Sequence, residues 1–397
     1  MKPIKSISRP IEIGLRLTGI WPDSSYELVV RLVWIVTLIV AQICQFRYII
    51  KHLSLNSLVD LVEAVGTSLP YSLLCFKLFT FWTEHGTFRS ILVHMSDDWT
   101  HSSNEKFNEG AMVRKADLAY KCARVVMTLY TLAAFTYGAV FLELAREGKR
   151  DKVEATSREL LLKMDFPFAY YENPTYEYVF IGQFLQLLLN ASVIGMLDAL
   201  IITLIFHIGG QIEILHKGLT DIRTKEENCE LPKIAIKSLI DRHYRIILNA
   251  EYIEKLFTYI ALMQLLCNTL VICCIGFLVA LNSGQSLKSL IKICFFYVAI
   301  TIEAFVFSFA GEYLSNKSLS VAQSAYSSLW YQLNNADKRV VVLLMIRSQR
   351  RLAITAGKFV DLSMEGFGNF IFYTCIVFNF QTLKASASYV SILYAMY

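Results

Sequence analysis

Two carboxylates and a lysine are among the charged side chains that lie within long apolar stretches of the sequence. Asp198 and Glu303 each stand inside a run of apolar residues, and Lys77 stands near the end of another. A charge in apolar surroundings is costly, so such a group marks either an ion path or gate, or a packing contact with a partner. We favour the packing contact for both carboxylates, through hydrogen bonds to Ser, Thr or Tyr on neighbouring helices. Lys77 is expected to extend its ammonium to the aqueous interface.

The sequence carries no recognisable pattern for catalysis or metal binding. Its seven His residues include no ligand spacing such as H-E-x-x-H, and Ala356–Phe359 lacks the spacing and hydroxyl of a phosphate-binding loop. The tetrapeptide at 241–244, Asp-Arg-His-Tyr, looks like a receptor signalling motif, but it lies in a predicted loop and we interpret it as chance. The sequence therefore predicts no enzyme, no catalytic residue, no metal, no cofactor and no nucleic-acid partner.

A second set of residues has the composition of an apolar binding pocket. It combines Phe and Tyr rings with a few hydroxyl groups, near one end of four apolar stretches. Apolar walls with few polar groups suit a small volatile organic molecule. For any single residue, ordinary helix packing is the simpler explanation. The candidate ligand-binding residues are Ser68, Tyr71, Ser72, Phe135, Gly138, Phe141, Phe184, Leu187, Phe296 and Tyr297.

Seven apolar stretches are long enough to hold these side chains in membrane-spanning helices. The chain has 397 residues, of which 55% are hydrophobic and 18% charged, and its mean hydropathy is +0.45. Soluble domains have about 25% charged residues, and about 20 apolar residues cross a bilayer. The sequence therefore predicts an all-α membrane protein. The predicted spans are Leu28–Ile50, Val59–Trp82, Cys122–Leu144, Tyr178–His207, Tyr259–Leu281, Leu290–Leu314 and Phe367–Ala395.

The distribution of Lys and Arg predicts the orientation of these spans. Of the 38 basic residues, 26 fall in the N-terminal tail and the second, fourth and sixth loops, and 10 fall on the other side. Basic residues concentrate on the cytoplasmic side, so the N-terminus is predicted inside and the C-terminus outside. The candidate pocket then lies in the outer halves of its spans. A G-protein-coupled receptor has the opposite orientation, and that class is kept only as an alternative.

Apolar residues continue at helical spacing beyond several spans. They recur in this way between residues 234 and 256, whereas Val340–Ile346 is too short to span and is interpreted as one face of a soluble helix. We therefore expect spans four, five and six to continue as helices into the cytoplasm. Apolar faces outside the membrane need a partner, which predicts a packed cytoplasmic helical subdomain.

The C-terminal part of the chain resembles the signature of insect odorant receptors. The matching residues are Trp330-Tyr331, Leu344–Arg350, Thr355–Phe359, Leu362–Met364 and Lys384–Tyr389. The length, the inverted seven-span layout and the long fourth loop agree over the whole chain. The resemblance implies a tuning subunit of a heterotetrameric, odorant-gated, non-selective cation channel that pairs with a shared co-receptor. It also implies contact with membrane lipid in the plasma membrane of olfactory neuron dendrites.

The resemblance also divides the chain into three regions. It implies that residues 1–314 contain the tail, six spans and the odorant pocket between spans two, three, four and six. Residues 315–366 would form a cytoplasmic anchor between subunits, and residues 367–397 the pore-lining last helix. In that helix Ile392 and Met396 match an apolar gate, which closes by excluding water. The pore and gate candidates implied in this way are Gln381, Thr382, Ser388, Tyr389, Ser391, Ile392 and Met396.

The sequence departs from that family at two places. Arg351 stands where the family usually has Pro. The spacing from Phe367 to Tyr389 is about 12 residues longer than the family's, and the extra stretch, Ile371–Thr382, would lengthen a helix by about 18 Å. A gustatory receptor of the same superfamily and a transporter remain as further alternatives.

Overall fold

The structure is a computed structural model. It describes residues 5–22, 26–53, 58–103, 105–150, 160–172, 174–221, 231–281 and 287–374. These residues are almost entirely helical, which confirms the predicted all-α fold. The helices are α1 (Arg9–Leu17), α2 (Glu27–Lys51), α3 (Leu58–Thr83), α4 (His85–Ser102), α5 (Lys106–Arg150), α6 (Thr175–Asp221), α7 (Leu231–Leu281), α8 (Leu287–Ser327), α9 (Asn335–Gln349) and α10, described from residue 364 to 374. A short turn of 3-10 helix (Trp330–Gln332) precedes α9, and a hairpin of β1 (Thr355–Ala356) and β2 (Val360–Asp361) follows it.

Six of the described helices are long and apolar enough to cross a membrane. They are α2, α3, α5, α6, α7 and α8, and they contain the first six predicted spans. α10 contains the beginning of the seventh predicted span, and the rest of that span lies outside the described residues. The layout of the first six spans is therefore confirmed, while their orientation stays a prediction.

Four of these helices are much longer than a bilayer is thick. α5 has 45 residues, α6 has 47, α7 has 51 and α8 has 41, and the length of α5 was not predicted. At about 1.5 Å per residue they extend well beyond the roughly 30 Å of hydrocarbon. This confirms that spans four, five and six continue as helices. α9 contains the short apolar run and buries Val341 and Leu344 against the bundle, as one face of a soluble helix should.

α6 is the central helix of the bundle. From Gly195 to Ile212 every residue is buried, whichever face of the helix it lies on. A helix that is apolar on all sides needs neighbours on all sides, and α1, α3, α5, α7 and α8 supply them. α5 approaches closely because Gly138 has no side chain; the Phe184 ring lies 2.3 Å from where a Cβ would stand.

The N-terminal segment and α4 are elements that the sequence analysis did not identify. In α1, Ile11 and Leu15 are completely buried in the main core. The backbone at the end of α1 accepts hydrogen bonds from two indole groups, Trp34 on α2 and Trp82 on α3, at 2.8 and 3.0 Å. Charged residues alternate with the apolar ones in this segment, so its apolar face does not appear as a continuous apolar run in the sequence.

The hairpin after α9 docks on α7. Gly357 has a φ of 62°, which the turn requires, and its N–H donates to the Thr258 carbonyl at 2.9 Å. The hydroxyls of Thr258 and Thr355 lie 3.0 Å apart. Arg351, at the position of the expected Pro, forms an ion pair with Asp361 across the hairpin. The departure from the family pattern is therefore accommodated by a charged contact at this turn.

After the hairpin the chain crosses α8 at Gly311. A Cβ at this position would lie 2.4 Å from the backbone oxygen of Leu362. Because a backbone atom cannot rotate away, we expect Gly311→Ala to lower the free energy of unfolding by about 1–3 kcal/mol. The readout is the melting temperature of the purified protein in detergent. Gly182→Ala is the control, since Gly182 also lies inside a long helix and a Cβ added there would meet no described atom within 4 Å outside its own helix backbone. Equal melting temperatures for the two variants would contradict this packing.

Candidate functional site

A cavity lies among α3, α5, α6, α7 and α8. Its volume is about 120 Å³. Four of these helices contain spans two, three, four and six, and α7 was not expected to contribute. The lining is mostly apolar or aromatic. It comprises Thr67, Pro70, Tyr71, Leu73, Tyr130, Ala133, Ala134, Tyr137, Leu162, Leu187, Asn190, Ala191, Ile194, Cys267, Asn268, Val271, Phe296, Ala299, Ile300 and Glu303.

Three of the ten candidate ligand-binding residues line this cavity. They are Tyr71 on α3, Leu187 on α6 and Phe296 on α8. Tyr71 and Leu187 belong to one apolar cluster and Phe296 to another. The cavity therefore lies where these two clusters meet. Its polar lining residues Asn190 and Asn268 are not among the predicted ligand-binding residues.

The two candidate serines face α2 instead. Gln42 on α2 donates from Nε2 to the Ser72 hydroxyl at 3.2 Å and to the backbone oxygen of Ser68 at 3.4 Å. Ser68 and Ser72 stand one helical turn apart, so both lie on the α3 face that packs against α2. Their observed contacts hold two helices together.

The remaining five candidates pack helices beside the cavity. Phe135 is 55% exposed on the outer face of α5, with its ring centroid 6.0 Å from that of Phe184, which covers Gly138. The Phe141 ring stacks on Phe180. On α8, the Tyr297 hydroxyl lies 3.5 Å from the Thr374 hydroxyl of α10. The candidate pore and gate residues Gln381, Thr382, Ser388, Tyr389, Ser391, Ile392 and Met396 lie outside the described residues.

At one edge of the cavity a buried lysine bonds two carboxylates. Lys77 Nζ lies 2.9 Å from Asp198 Oδ1 and 2.7 Å from Glu303 Oε1. The Tyr130 hydroxyl donates to Asp198 Oδ2 at 2.7 Å. The Phe307 ring centroid lies 5.5 Å from the ammonium. Four helices, α3, α5, α6 and α8, thus meet in one polar network, and two of its members, Tyr130 and Glu303, also line the cavity.

This network corrects the expectation for Lys77. The residue is 1% exposed and does not reach an interface. The hydrogen bond from Tyr130 to Asp198 is of the expected kind, but the lysine is the partner that both carboxylates share. Two buried carboxylates without a cation would each cost several kcal/mol, so the ammonium is needed inside. In the sequence, these three charged residues stand at similar depths in three predicted spans, and this pattern indicates that they interact.

A segment that follows α5 closes another side of the cavity. Leu162 lines it, and Gln183 on α6 accepts from the Leu162 N–H at 3.3 Å and donates to its carbonyl at 3.1 Å. Lys163 pairs with Asp60 at the start of α3 at 3.0 Å. Asp165 pairs with two basic residues near the end of α2 at 3.3 Å each. Backbone and charge contacts therefore fix this wall.

A Ser, a His and an Asp also form a hydrogen-bonded chain far along the bundle. Ser6 Oγ lies 2.9 Å from His207 Nδ1, and His207 Nε2 lies 3.1 Å from Asp98 Oδ2. A serine nucleophile needs a free, accessible oxygen. Here Trp99 donates to Ser6 Oγ at 2.8 Å, and Ser6, His207 and Asp98 are all buried. The cluster ties the N-terminal segment to α4 and α6.

The chain matches one family of receptors over most of its length. The family model described as 7tm Odorant receptor matches residues 57–372. The chain belongs to the 7tm odorant receptor family. The resemblance seen in the C-terminal motifs is therefore confirmed, and with it a multi-pass membrane protein of a receptor family and not an enzyme family. The match ends at residue 372, at the beginning of the stretch Ile371–Thr382 whose spacing differs.

Relatives of this odorant receptor are known from flies and mosquitoes. Odorant receptor 13a of Drosophila melanogaster is 22% identical, over 100% of this chain and 97% of the relative. Odorant receptor 22c of Drosophila melanogaster is 31% identical over 35% of this chain and 34% of the relative. Odorant receptor 10 of Aedes albopictus is 25% identical over 57% of each. The chain thus spans only a third to just over half of the length of the last two.

A solved structure shares the fold of this odorant receptor. The insect olfactory receptor OR5 from Machilis hrabei, in complex with eugenol, matches with a TM-score of 0.75 and 14% identity over 94% of this chain and 96% of that one. The same receptor in a structure whose description names no ligand matches with a TM-score of 0.73. At this identity the likeness establishes the fold alone.

Replacing Lys77 with Met tests the buried network. The variant keeps the length of the side chain and leaves two carboxylates buried without a cation. Breaking a buried ion pair in this way costs about 3–5 kcal/mol. We expect a clear fall in the melting temperature of the purified protein. Adding Asp198→Asn and Glu303→Gln removes the stranded charges and should recover part of the loss.

Lys255→Met is the matched control. Lys255 Nζ lies 2.7 Å from Glu84 Oε2 in an exposed pair, and such pairs contribute about 0–1 kcal/mol. Hydrogen bonds from Lys255 and Thr87 hold the pKa of the Glu84 carboxyl below its ordinary value, so this pair is ionised at neutral pH. If Lys77→Met melts at the same temperature as this control, the central role of the buried network is refuted.

Proposed function

We propose that this chain is an odorant-tuned subunit of a ligand-gated, non-selective cation channel. Its ligand would be a small volatile organic molecule held in the cavity between α3, α5, α6, α7 and α8. The observation that carries the proposal is this largely apolar cavity within a member of the odorant receptor family. A volume of about 120 Å³ is below the range of about 300–1,000 Å³ for drug-sized ligands, which favours a small molecule.

The structural relative supports this ligand class. The Machilis receptor is described in complex with eugenol, a small organic molecule, and it shares the fold over 94% of this chain. The walls of the cavity here are fixed by helix packing and by the contacts of Leu162, so the binding shape is already formed. A preformed apolar site loses little entropy when a small ligand enters.

We also propose assembly with an odorant co-receptor in the plasma membrane of olfactory neurons, with the N-terminus in the cytoplasm. Helices beyond the spans offer a surface for this contact. Large apolar side chains are exposed at the end of α8, in the 3-10 turn and on α9, namely Tyr326, Tyr331, Leu343 and Ile346. Exposed apolar patches of this kind mark contacts between proteins. This agrees with residues 315–366 acting as an anchor between subunits.

The gate is proposed in the last helix. Ile392 and Met396 would form an apolar constriction, with Tyr389, Gln381 and Ser388 along the pore. α10 packs on α8, since the Phe305 and Phe367 rings lie 5.6 Å apart. A ligand beside α8 would therefore act on a helix that touches the start of the pore helix.

A cavity-filling variant tests the proposal. Leu187→Trp places a large ring in the cavity wall and should abolish odorant-evoked currents when the chain is expressed with a co-receptor. Leu185→Trp is the matched control, because Leu185 lies on the same helix with its side chain exposed. It should keep wild-type currents. Surface expression of both variants is measured alongside. Odorant currents that survive Leu187→Trp would show that the ligand binds elsewhere.

A further inference from the structure

Two polar groups in the cavity wall make no hydrogen bond of good geometry to any part of the chain that the structure describes. They are the hydroxyl of Tyr71 on α3 and the side-chain nitrogen Nδ2 of Asn190 on α6. Both residues line the cavity, and they are only 4% and 5% exposed. The Asn190 amide interacts with the Tyr71 hydroxyl, but the geometry falls short of a full hydrogen bond, so neither group is fully satisfied by the other. These two donors therefore stand together at one place on the wall.

Unpaired donors are unusual in a protein interior. Nearly all buried polar groups are hydrogen-bonded, because a buried donor loses the bonds that it makes to water. Other polar groups on the same wall follow that rule: the Tyr130 hydroxyl donates to Asp198, and Glu303 accepts from Lys77. Tyr71 and Asn190 differ from them, although they lie in the same cavity. A ligand atom is the partner that this arrangement lacks.

The chemistry of the two groups defines that ligand atom. An amide nitrogen only donates, whereas a tyrosine hydroxyl donates one hydrogen and can also accept. A ligand oxygen that accepts hydrogen bonds is the group that both donors can bond at once. The carboxylate in the wall, Glu303, already bonds Lys77, so the cavity does not call for a cationic ligand. A neutral oxygen such as that of a ketone, ester, ether or alcohol fits this pair of donors.

We propose that Tyr71 and Asn190 form a polar subsite that binds an acceptor oxygen of the ligand. This chain would then select oxygenated volatile molecules over hydrocarbons of the same shape. The inference rests on the proposed function for the cavity as the ligand site. A hydrocarbon would leave both donors unpaired, which is the strongest basis for discrimination that a small apolar site has.

Pairs of ligands that differ only at the oxygen test the proposal. Acetophenone is compared with α-methylstyrene, and 2-heptanone with 2-methyl-1-heptene, so that C=CH2 replaces C=O in each. Affinity is measured from the concentration dependence of thermal stabilisation of the purified full chain. We expect each ketone to bind at least about tenfold more tightly than its alkene. Equal affinities within both pairs, or no binding of either ketone, would overturn the proposal.

Variants of the two residues assign the preference to the subsite. Tyr71→Phe and Asn190→Leu keep the size of each side chain and should each lower ketone affinity about tenfold, with alkene affinity unchanged. Tyr259→Phe is the control, because it removes the hydroxyl of an exposed tyrosine that does not line the cavity and should keep the ketone preference. The ratio of the two affinities within one variant is independent of its stability. A variant that weakens ketone and alkene equally shows a structural role only and counts against the subsite.

Current recordings separate this inference from the proposed function. Ketone-selective binding without ketone-evoked currents supports the subsite and contradicts the channel role. Currents evoked equally by ketone and alkene support the channel role and contradict the subsite.

Discussion

One buried ammonium group fixes the arrangement of the helices. Lys77 reaches from α3 to a carboxylate on α6 and another on α8, at 2.9 and 2.7 Å. Neither lipid nor packed side chains can solvate a carboxylate, so each of the three residues depends on the other two. Tyr130 adds α5 through its bond to Asp198. The same four helices, together with α7, line the cavity, and its shape therefore depends on this network.

The network also places the cavity next to the part of the molecule that leads to the last helix. Glu303 both bonds Lys77 and lines the cavity. Glu303 lies on α8. Further along α8, Gly311 packs against the backbone of Leu362, just before α10. A ligand that shifts α8 would have to stretch the Lys77 bond and move the Leu362 contact together. These contiguous contacts provide a physical route from the cavity towards the proposed pore, and coupling measurements would establish whether it is used.

The apolar runs predicted much of the fold, because length and hydropathy are properties of a segment alone. Six spans, three extended helices and α9 follow from them. The direction in which a side chain points does not follow from length and hydropathy. Tyr71 and Ser72 are neighbours in sequence, yet one lines the cavity and the other bonds Gln42 on α2. Successive helical residues differ by about 100°, so a pocket residue can be chosen only once the neighbours of each helix are known.

Some polar groups inside this bundle bond other residues of the protein, whereas others have no partner there. Lys77 has two carboxylate partners, and Ser6 and His207 complete each other's hydrogen bonds. These groups bond other residues of the protein, so no ligand is needed to satisfy them. Tyr71 and Asn190 stand on two of the same helices, but their donors open onto the cavity instead. Other described polar atoms, such as those of Gln45, Ser102 and Tyr313, also lack a partner, but they lie away from the cavity. Tyr71 and Asn190 are distinguished by lining one cavity together, where a single ligand atom is placed to bond both.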